Sequence, residues 1–252
     1  MFSQLANADG ETATVTGVGT TIQAAADTAV TNIGLNAHGN NAVLGNGNEQ
    51  VTVSAAGTRI WGTHGTDTIN VNAGGGTIWG GGAAITLNMT DYHDQAAVTL
   101  HGGGGLITQE AGYGALVFTG GHGAAMLGGV SGGETVTAGS GNISLVGGGA
   151  GTHFTAGSGN ANVTLTRAGG TVIFGNGSCV VQEAAGGSTT TYDFNKGTGG
   201  GNDTITGFQV GTDHLVMQGV TINGDSVVNG STLLSLSDGT HVTLVGVTNF
   251  HT

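Results

Sequence analysis

The chain of 252 residues contains 54 glycines, no proline and 7% charged residues. It has 15 acidic residues against 3 basic ones, for a net charge of −12, which excludes a nucleic-acid partner because such a surface repels phosphate. Recurring aliphatic clusters and low charge are not typical of a disordered chain. The single cysteine, Cys179, excludes an intrachain disulfide, and no apolar run is long enough to span a membrane.

Residues 1–40 are rich in Thr, Ala and Asn and show an apolar period only loosely. They lack a basic start followed by an apolar run, so a cleavable signal peptide is not predicted. We interpret residues 1–40 as an N-terminal cap or assembly segment. Val15 and Ile22 are its predicted contacts with a second copy of the chain, to which the segment would add a strand or complete a coil.

From residue 41 to residue 187 a short aliphatic or aromatic cluster returns about every nine residues, with glycine between. The clearest repeat is Arg-Ile-Trp-Gly at 59–62, which recurs eighteen residues later as Thr-Ile-Trp-Gly at 77–80. A short fixed period is typical of a solenoid, whose units bury apolar side chains only against their neighbours. The sequence therefore predicts an all-β fold, a parallel β-solenoid with about eighteen residues and two strands per coil.

Alternation along these strands predicts an aromatic column. If Ile60, Ile78 and Ile173 point inward, the residue after each of them points outward, because successive strand residues face opposite sides. The predicted column consists of Trp61, Trp79, His101, Phe118 and Phe174. Such a column would contact another protomer or a polysaccharide. The alternative is that the rings fold into the core at a corner.

The turns between strands carry a glycine–acid pattern. Gly62-Thr-His-Gly-Thr-Asp-Thr-Ile-Asn70 and Gly45-Asn-Gly-Asn-Glu-Gln-Val51 are the best copies. They resemble the nonapeptide of the repeats-in-toxin (hemolysin-type calcium-binding) family, which folds as a parallel β-roll. The resemblance implies calcium held by backbone carbonyls and paired carboxylates on successive coils, here Gly45, Gly47, Glu49, Gly65 and Asp67. Ile85 follows one coil later and would end the ladder, and the alternative is that these acids are solvent-facing turn residues.

The period stretches between Met89 and Ala97, as expected for an insertion at a turn. Asp91, His93 and Asp94 within it could bind a metal or be ordinary solvated turn residues.

Residues 188–252 differ in character from the preceding repeats. The stretch from Gly200 to Met217 resembles the segment that closes repeats-in-toxin arrays in proteins exported by type I (ABC transporter) systems, and Asp203 is its candidate calcium ligand. Asp238-Gly239 between alternating apolar residues predicts a terminal β-hairpin, so the whole segment is a predicted β cap. The resemblance implies an uncleaved C-terminal secretion signal, an ABC-type exporter as partner, and an extracellular or cell-surface location.

No nucleophile elbow, phosphate loop or zinc-protease motif is present, so the sequence does not predict an enzyme. Three functions remain open. The first is a secreted bacterial structural protein that forms a homopolymer: a filament, surface layer or biofilm matrix. The second is a carbohydrate- or surface-binding adhesin with a calcium-stabilised β-roll, and the third is an ice-binding solenoid, which would require Thr-x-Thr on successive coils.

Overall fold

The computed structural model describes residues 2–4, 12–24, 31–89, 97–109, 116–130, 133–148, 151–167, 169–186 and 188–250. Within these ranges every regular element is a β-strand, and the strands form parallel solenoid coils of roughly 18 residues, which confirms the predicted fold class. In the same ranges we find no helix of the length and apolarity that a membrane crossing needs. The chain divides into two compact units, unit 1 (Met1–Ser131) and unit 2 (Gly132–Thr252).

Unit 1 consists of two ladders of parallel strands. Its strands are β1 (Phe2–Gln4), β2 (Thr12–Val15), β3 (Thr21–Gln23), β4 (Asn32–Leu35), β5 (Asn41–Val43), β6 (Gln50–Val53), β7 (Ala56–Trp61), β8 (Thr66–Val71), β9 (Gly75–Met89), β10 (Ala97–Gln109), β11 (Leu116–Thr119) and β12 (Ala125–Val130). The first ladder runs through β1, β3, β5, β7, β9, β10 and β11, and the second through β2, β4, β6, β8, β9, β10 and β12. The long strands β9 and β10 belong to both ladders, because each strand continues from the first ladder into the second without a break.

The register gives the coil length directly. Arg59 pairs with Thr77 in the first ladder, and Gln50 pairs with Thr68 in the second, as the eighteen-residue period predicts. Thr77 pairs with Thr99, so that coil is longer than the others. The additional residues fall in the predicted insertion, and Asp91, His93 and Asp94 lie outside the described residues.

The solenoid in unit 1 begins before residue 41. Thr12 pairs with Asn32, and Thr21 pairs with Asn41, so the first described strands already belong to the parallel ladders. These coils are longer than eighteen residues, which is why the nine-residue period does not show in the sequence. Val15 and Ile22 are buried in the core of their own chain, so our prediction that they contact another copy is wrong.

Aliphatic side chains fill the narrow core in axial rows. One row of the second ladder consists of Ile33, Val51, Ile69 and Leu87, which pair in register on four successive strands and are fully buried. Each side chain packs against the equivalent side chain one coil away. Removal of these apolar surfaces from water is the main source of stability.

Unit 2 combines parallel coils with an antiparallel end. Its strands are β13 (Thr135–Thr137), β14 (Ile143–Gly147), β15 (His153–Thr155), β16 (Ala161–Leu165), β17 (Gly170–Ile173), β18 (Cys179–Glu183), β19 (Thr190–Asn195), β20 (Asn202–Thr206), β21 (His214–Gln218), β22 (Ile222–Val228), β23 (Ser231–Leu236) and β24 (His241–Val245). Strands β13, β15, β17, β19 and β21 form one parallel ladder, and β14, β16, β18, β20 and β24 form the other. Strand β23 pairs antiparallel with β24 and β22, so the predicted hairpin at Asp238-Gly239 is present.

Glycine turns stack directly on one another in unit 2. A Cβ atom on Gly157 would lie 1.9 Å from the Gly139 carbonyl oxygen, and one on Gly159 would lie 2.2 Å from the Gly141 oxygen. Neither Gly157 nor Gly159 has a positive φ. These glycines are therefore required by the close approach of backbone to backbone, and not by a left-handed conformation.

Candidate cation site and aromatic ladder

Glu49 and Asp67 face each other across one coil of unit 1. The Asp67 Oδ1 atom accepts a hydrogen bond from the Glu49 amide at 3.4 Å, and the Thr68 amide donates to the Glu49 carbonyl at 2.8 Å. The two residues are 1% and 0% exposed. Asp67 lies on the same side of its strand as Ile69, so both acids point inward, and the alternative that they are solvent-facing turn residues is wrong.

The electrostatics of this pair demand a neutralising partner. The Glu49 Oε2 and Asp67 Oδ2 atoms are buried, and neither has a hydrogen-bond partner among the described residues. Burial, followed by the proximity of the Glu49 carboxyl, raises the pKa of Asp67 to about 7. Two buried carboxylates are costly unless a proton or a cation compensates their charge.

The residues around the pair fit a small, hard cation. The adjoining turns are rich in oxygen atoms, since Thr63 Oγ1 donates to the Gly45 carbonyl and lies 3.2 Å from Asn46 Oδ1. Calcium prefers six to eight oxygen ligands, of which two carboxylates supply up to four. No group of three or more His, Cys, Asp or Glu side chains that could hold a metal occurs in the described part of the chain. Calcium bound here would supply the missing positive charge, and its binding stays a prediction.

Glycine at position 65 of the glycine–acid turn is explained by the close approach of the preceding coil. Gly65 has a φ of +99°, and a Cβ atom on it would lie 1.9 Å from the carbonyl oxygen of Gly47. The carbonyl of Gly47 also accepts a hydrogen bond from the Thr66 amide at 3.3 Å. The coil spacing thus explains glycine at position 65 without a metal. Asp67 pairs with Ile85 on the next coil, so the carboxylate ladder ends where the sequence predicted.

Asp203 is buried in unit 2, but its neighbours in the ladder are not acids. The register places it between Cys179 and Val242. Its Oδ1 atom accepts a hydrogen bond from the Cys179 amide at 2.9 Å, whereas its buried Oδ2 atom has no hydrogen-bond partner in the described ranges. The paired-carboxylate arrangement that the resemblance implies is therefore not repeated at Asp203.

Three rings of the predicted aromatic column stack on the outer side of unit 1. The Trp61 and Trp79 ring centroids are 5.0 Å apart with an interplanar angle of 5°, and Trp79 and His101 are 6.1 Å apart at 26°. All three side chains are half-buried, while Ile60 and Ile78 point into the core as predicted. We call Trp61, Trp79 and His101 the aromatic ladder.

Phe118 and Phe174 do not belong to this ladder, and our prediction that they face outward is wrong. They are 1% and 2% exposed, and both lie in the interior. The residue that follows His101 in register is Thr119, one position after Phe118. In unit 2 Phe174 instead stacks on Phe194 at 4.4 Å, and both rings are buried.

The stacking geometry limits what the aromatic ladder can bind. A sugar ring packs on the flat face of an aromatic ring, but the facing surfaces of Trp61 and Trp79 cover each other at 5.0 Å. His101 covers the far side of Trp79. The ring faces between the three residues are thus covered, and stacking of this kind holds adjacent coils together.

Unit 2 contains a buried polar cluster that the sequence did not suggest. Thr190 Oγ1 donates to Glu183 Oε1 at 2.6 Å, and the Tyr192 hydroxyl donates to Glu183 Oε2 at 2.5 Å. The Thr190 amide donates to Asp213 Oδ1 at 3.0 Å. Burial, followed by the proximity of Asp213, raises the pKa of Glu183 above its ordinary value. The cluster connects β18, β19 and the loop before β21, and its acids are too far apart in sequence to be recognised as a pair.

Comparison with protein-family models, with curated proteins and with solved structures found no match to this chain. The similarity to the repeats-in-toxin family therefore rests on the motifs and on the solenoid, which is compatible with a β-roll.

Proposed function

We propose that the protein is a secreted bacterial structural protein that assembles with copies of itself into an extracellular filament, surface layer or biofilm matrix. The observation that supports this most is the edge of the first coil in unit 1. Strands β1 and β2 pair on one side with β3 and β4, and no described strand pairs on their other side. An unpaired strand edge accepts a strand from another molecule because its amides and carbonyls need partners.

The backbone of β2 has the orientation that such pairing needs. The Val15 carbonyl accepts a hydrogen bond from the Asn36 amide at 3.0 Å, so it points toward the next coil. Successive residues in a parallel strand direct their backbone groups to opposite sides, so those of Thr14 point to the open edge. Strand β2 contains no charged residue and no proline, the features that usually protect an edge from association.

The geometry favours assembly over the two alternatives. A polysaccharide-binding adhesin would use exposed ring faces, whereas the faces within the aromatic ladder cover one another. An ice-binding surface would need a regular threonine array. The outward pairs on three successive strands of the second ladder are instead Gln50 with Thr52, Thr68 with Asn70, and Thr86 with Asn88.

Secretion belongs to the same proposal. The C-terminal resemblance supports export by an ABC-type transporter, and calcium outside the cell would neutralise Glu49 and Asp67. A solenoid whose buried carboxylates are compensated only after export would become more stable in the extracellular medium.

The test is a proline that blocks the edge. Thr14→Pro removes an amide that no described strand uses, so the variant should melt like the wild type but no longer form polymers in negative-stain electron microscopy. Thr14→Ala is the matched control and should polymerise. The double variant Thr12→Lys/Thr14→Lys blocks the edge by charge and leaves the amides in place. Polymers of normal length from both blocked variants would contradict the proposed assembly edge.

A further inference from the structure

Asp203 presents an unsatisfied oxygen atom inside unit 2. The residue is 1% exposed, one carboxylate oxygen is bonded to the Cys179 amide, and the other oxygen has no hydrogen-bond partner among the described residues. An unpaired buried carboxylate oxygen is costly, and native structures retain one mainly where a ligand or a proton completes it.

A second carboxylate approaches from the terminal hairpin. Asp238 lies in the turn between β23 and β24, where its Oδ1 atom accepts a hydrogen bond from the Thr240 amide at 3.1 Å. A Cβ atom on Gly199 would lie 1.9 Å from Asp238 Oδ2, and one on Gly201 would lie 3.4 Å from Asp203 Oδ1. The two carboxylates therefore border the same glycine segment, residues 199–201.

Oxygen atoms lie close to the backbone of this segment. A Cβ atom on Gly201 would lie 2.5 Å from the Gly177 carbonyl oxygen, and the Thr240 hydroxyl accepts a hydrogen bond from the Gly200 amide at 3.0 Å. Lys196, the basic residue nearest in sequence, instead packs its aliphatic stem near Gly219. A site of carboxylate, carbonyl and hydroxyl oxygens suits a hard divalent cation and not a soft metal.

We propose that Asp203 and Asp238 together bind one divalent cation of the calcium type, which fastens the C-terminal hairpin to the last parallel coil of unit 2. This arrangement differs from the coil-to-coil pairing that the repeats-in-toxin resemblance implies, since the second acid comes from the antiparallel hairpin. The bound cation holds the β23–β24 turn against residues 199–201. The inference does not depend on the proposed assembly, because it concerns other residues.

The experiment is hydrogen exchange of the full chain, followed by mass spectrometry, with calcium, with magnesium and with a chelator. Calcium should slow exchange in peptides from β22, β23 and β24, by about 100-fold at a concentration of 100 times the dissociation constant. Asp238→Asn and Asp203→Asn keep a hydrogen-bond acceptor for the Thr240 and Cys179 amides, so both variants should fold and lose the calcium effect. Asp225→Asn removes an exposed carboxylate on β22, which pairs with β23, and this control variant should retain the calcium effect.

Peptides from the Glu49 and Asp67 region provide an internal comparison, because calcium bound there slows exchange in unit 1 and leaves the hairpin unaffected. Gly199→Ala gives an independent test, since its methyl group would displace the Asp238 carboxylate and should abolish the hairpin response. Unchanged exchange in β22–β24 at saturating calcium would overturn the inference. An equal calcium response in wild type and Asp238→Asn would overturn it as well, and polymer formation would be unaffected in either case.

Discussion

Replacing Gly157 with alanine tests whether the glycine turns of unit 2 serve packing or metal binding. The added Cβ atom would lie 1.9 Å from the Gly139 carbonyl oxygen and 2.6 Å from the Ala138 carbonyl oxygen. Real Cβ contacts are essentially never shorter than 3.0 Å, so the two turns must separate by about 1 Å. Gly157 has no positive φ, and alanine therefore adds no backbone strain of its own.

The cost follows from the separation of the coils. Overpacking of this kind costs about 1–3 kcal/mol. The hydrogen bonds next to the turn, Ala138 amide to Thr155 carbonyl and Ala156 amide to Ile173 carbonyl, are both 2.8 Å long and would lengthen. Weakening these hydrogen bonds adds about 1 kcal/mol to the loss of stability. The lower conformational entropy of the unfolded alanine variant offsets about 0.5 kcal/mol of it. We expect a loss of about 2.5 kcal/mol and a melting temperature lower by roughly 5–10 °C.

Thermal unfolding followed by circular dichroism, with calcium and with a chelator, measures this effect. Gly224→Ala is the matched control, because a Cβ atom at Gly224 in the same unit meets nothing within 4 Å. The Gly157 variant should lose the same stability under both conditions. A loss that appears only with calcium would refute the packing explanation and would instead support a metal-binding role for these turns.

Three further predictions follow from the site, the ladder and the C-terminal segment. In chelator the wild-type free energy of unfolding should fall as the pH rises from about 4 to about 7, because folded Asp67 retains a proton that the unfolded chain releases. Asp67→Asn should reduce that slope in urea titrations, whereas Asp203, whose pKa burial also raises to about 7, keeps part of it; a slope unchanged in the variant would contradict the role of Asp67. Trp79→Ala removes two stacking contacts and should cost about 2 kcal/mol, against about 1 kcal/mol for Trp61→Ala, in the same denaturation assay, and equal losses would argue against the ladder geometry. Deleting residues 193–252 should leave the protein inside its producing cell in a secretion assay, and normal export of the truncated chain would refute the type I signal.

The repeat of Ile60-Trp61 at Ile78-Trp79 was sufficient to predict the coil length, the parallel ladders and two members of the aromatic ladder. Where coils lengthen, this period is lost. Asn32 follows its partner Thr12 at a longer interval, so the first strands appeared irregular. A one-residue change of phase reverses the direction of every side chain in a strand, and Phe118 and Phe174 were misplaced for that reason.

Other features depend on contacts that a period cannot reveal. Asp238 meets the surroundings of Asp203 only because an antiparallel hairpin returns to β20, and no spacing in the sequence marks that approach. The turn at Asn229-Gly230 was recognisable, since both residues adopt positive φ and Asn-Gly is a strong hairpin signal. Asp238-Gly239 alone predicts a single hairpin, whereas the structure has three antiparallel strands at this end of unit 2.

The antiparallel end of unit 2 also has a kinetic consequence. Val228 pairs with Ser231 across a two-residue turn, whereas the parallel coils pair residues such as Ile143 and Ala161 that are far apart in sequence. Closing a short loop loses less chain entropy, so β22, β23 and β24 are the strands that can associate first. Each parallel strand can then add to an edge that already exists, beginning with β20 on β24. The coils of this unit would therefore form in the direction opposite to their order along the chain. Their folding would begin only after the antiparallel strands that follow them in sequence have formed.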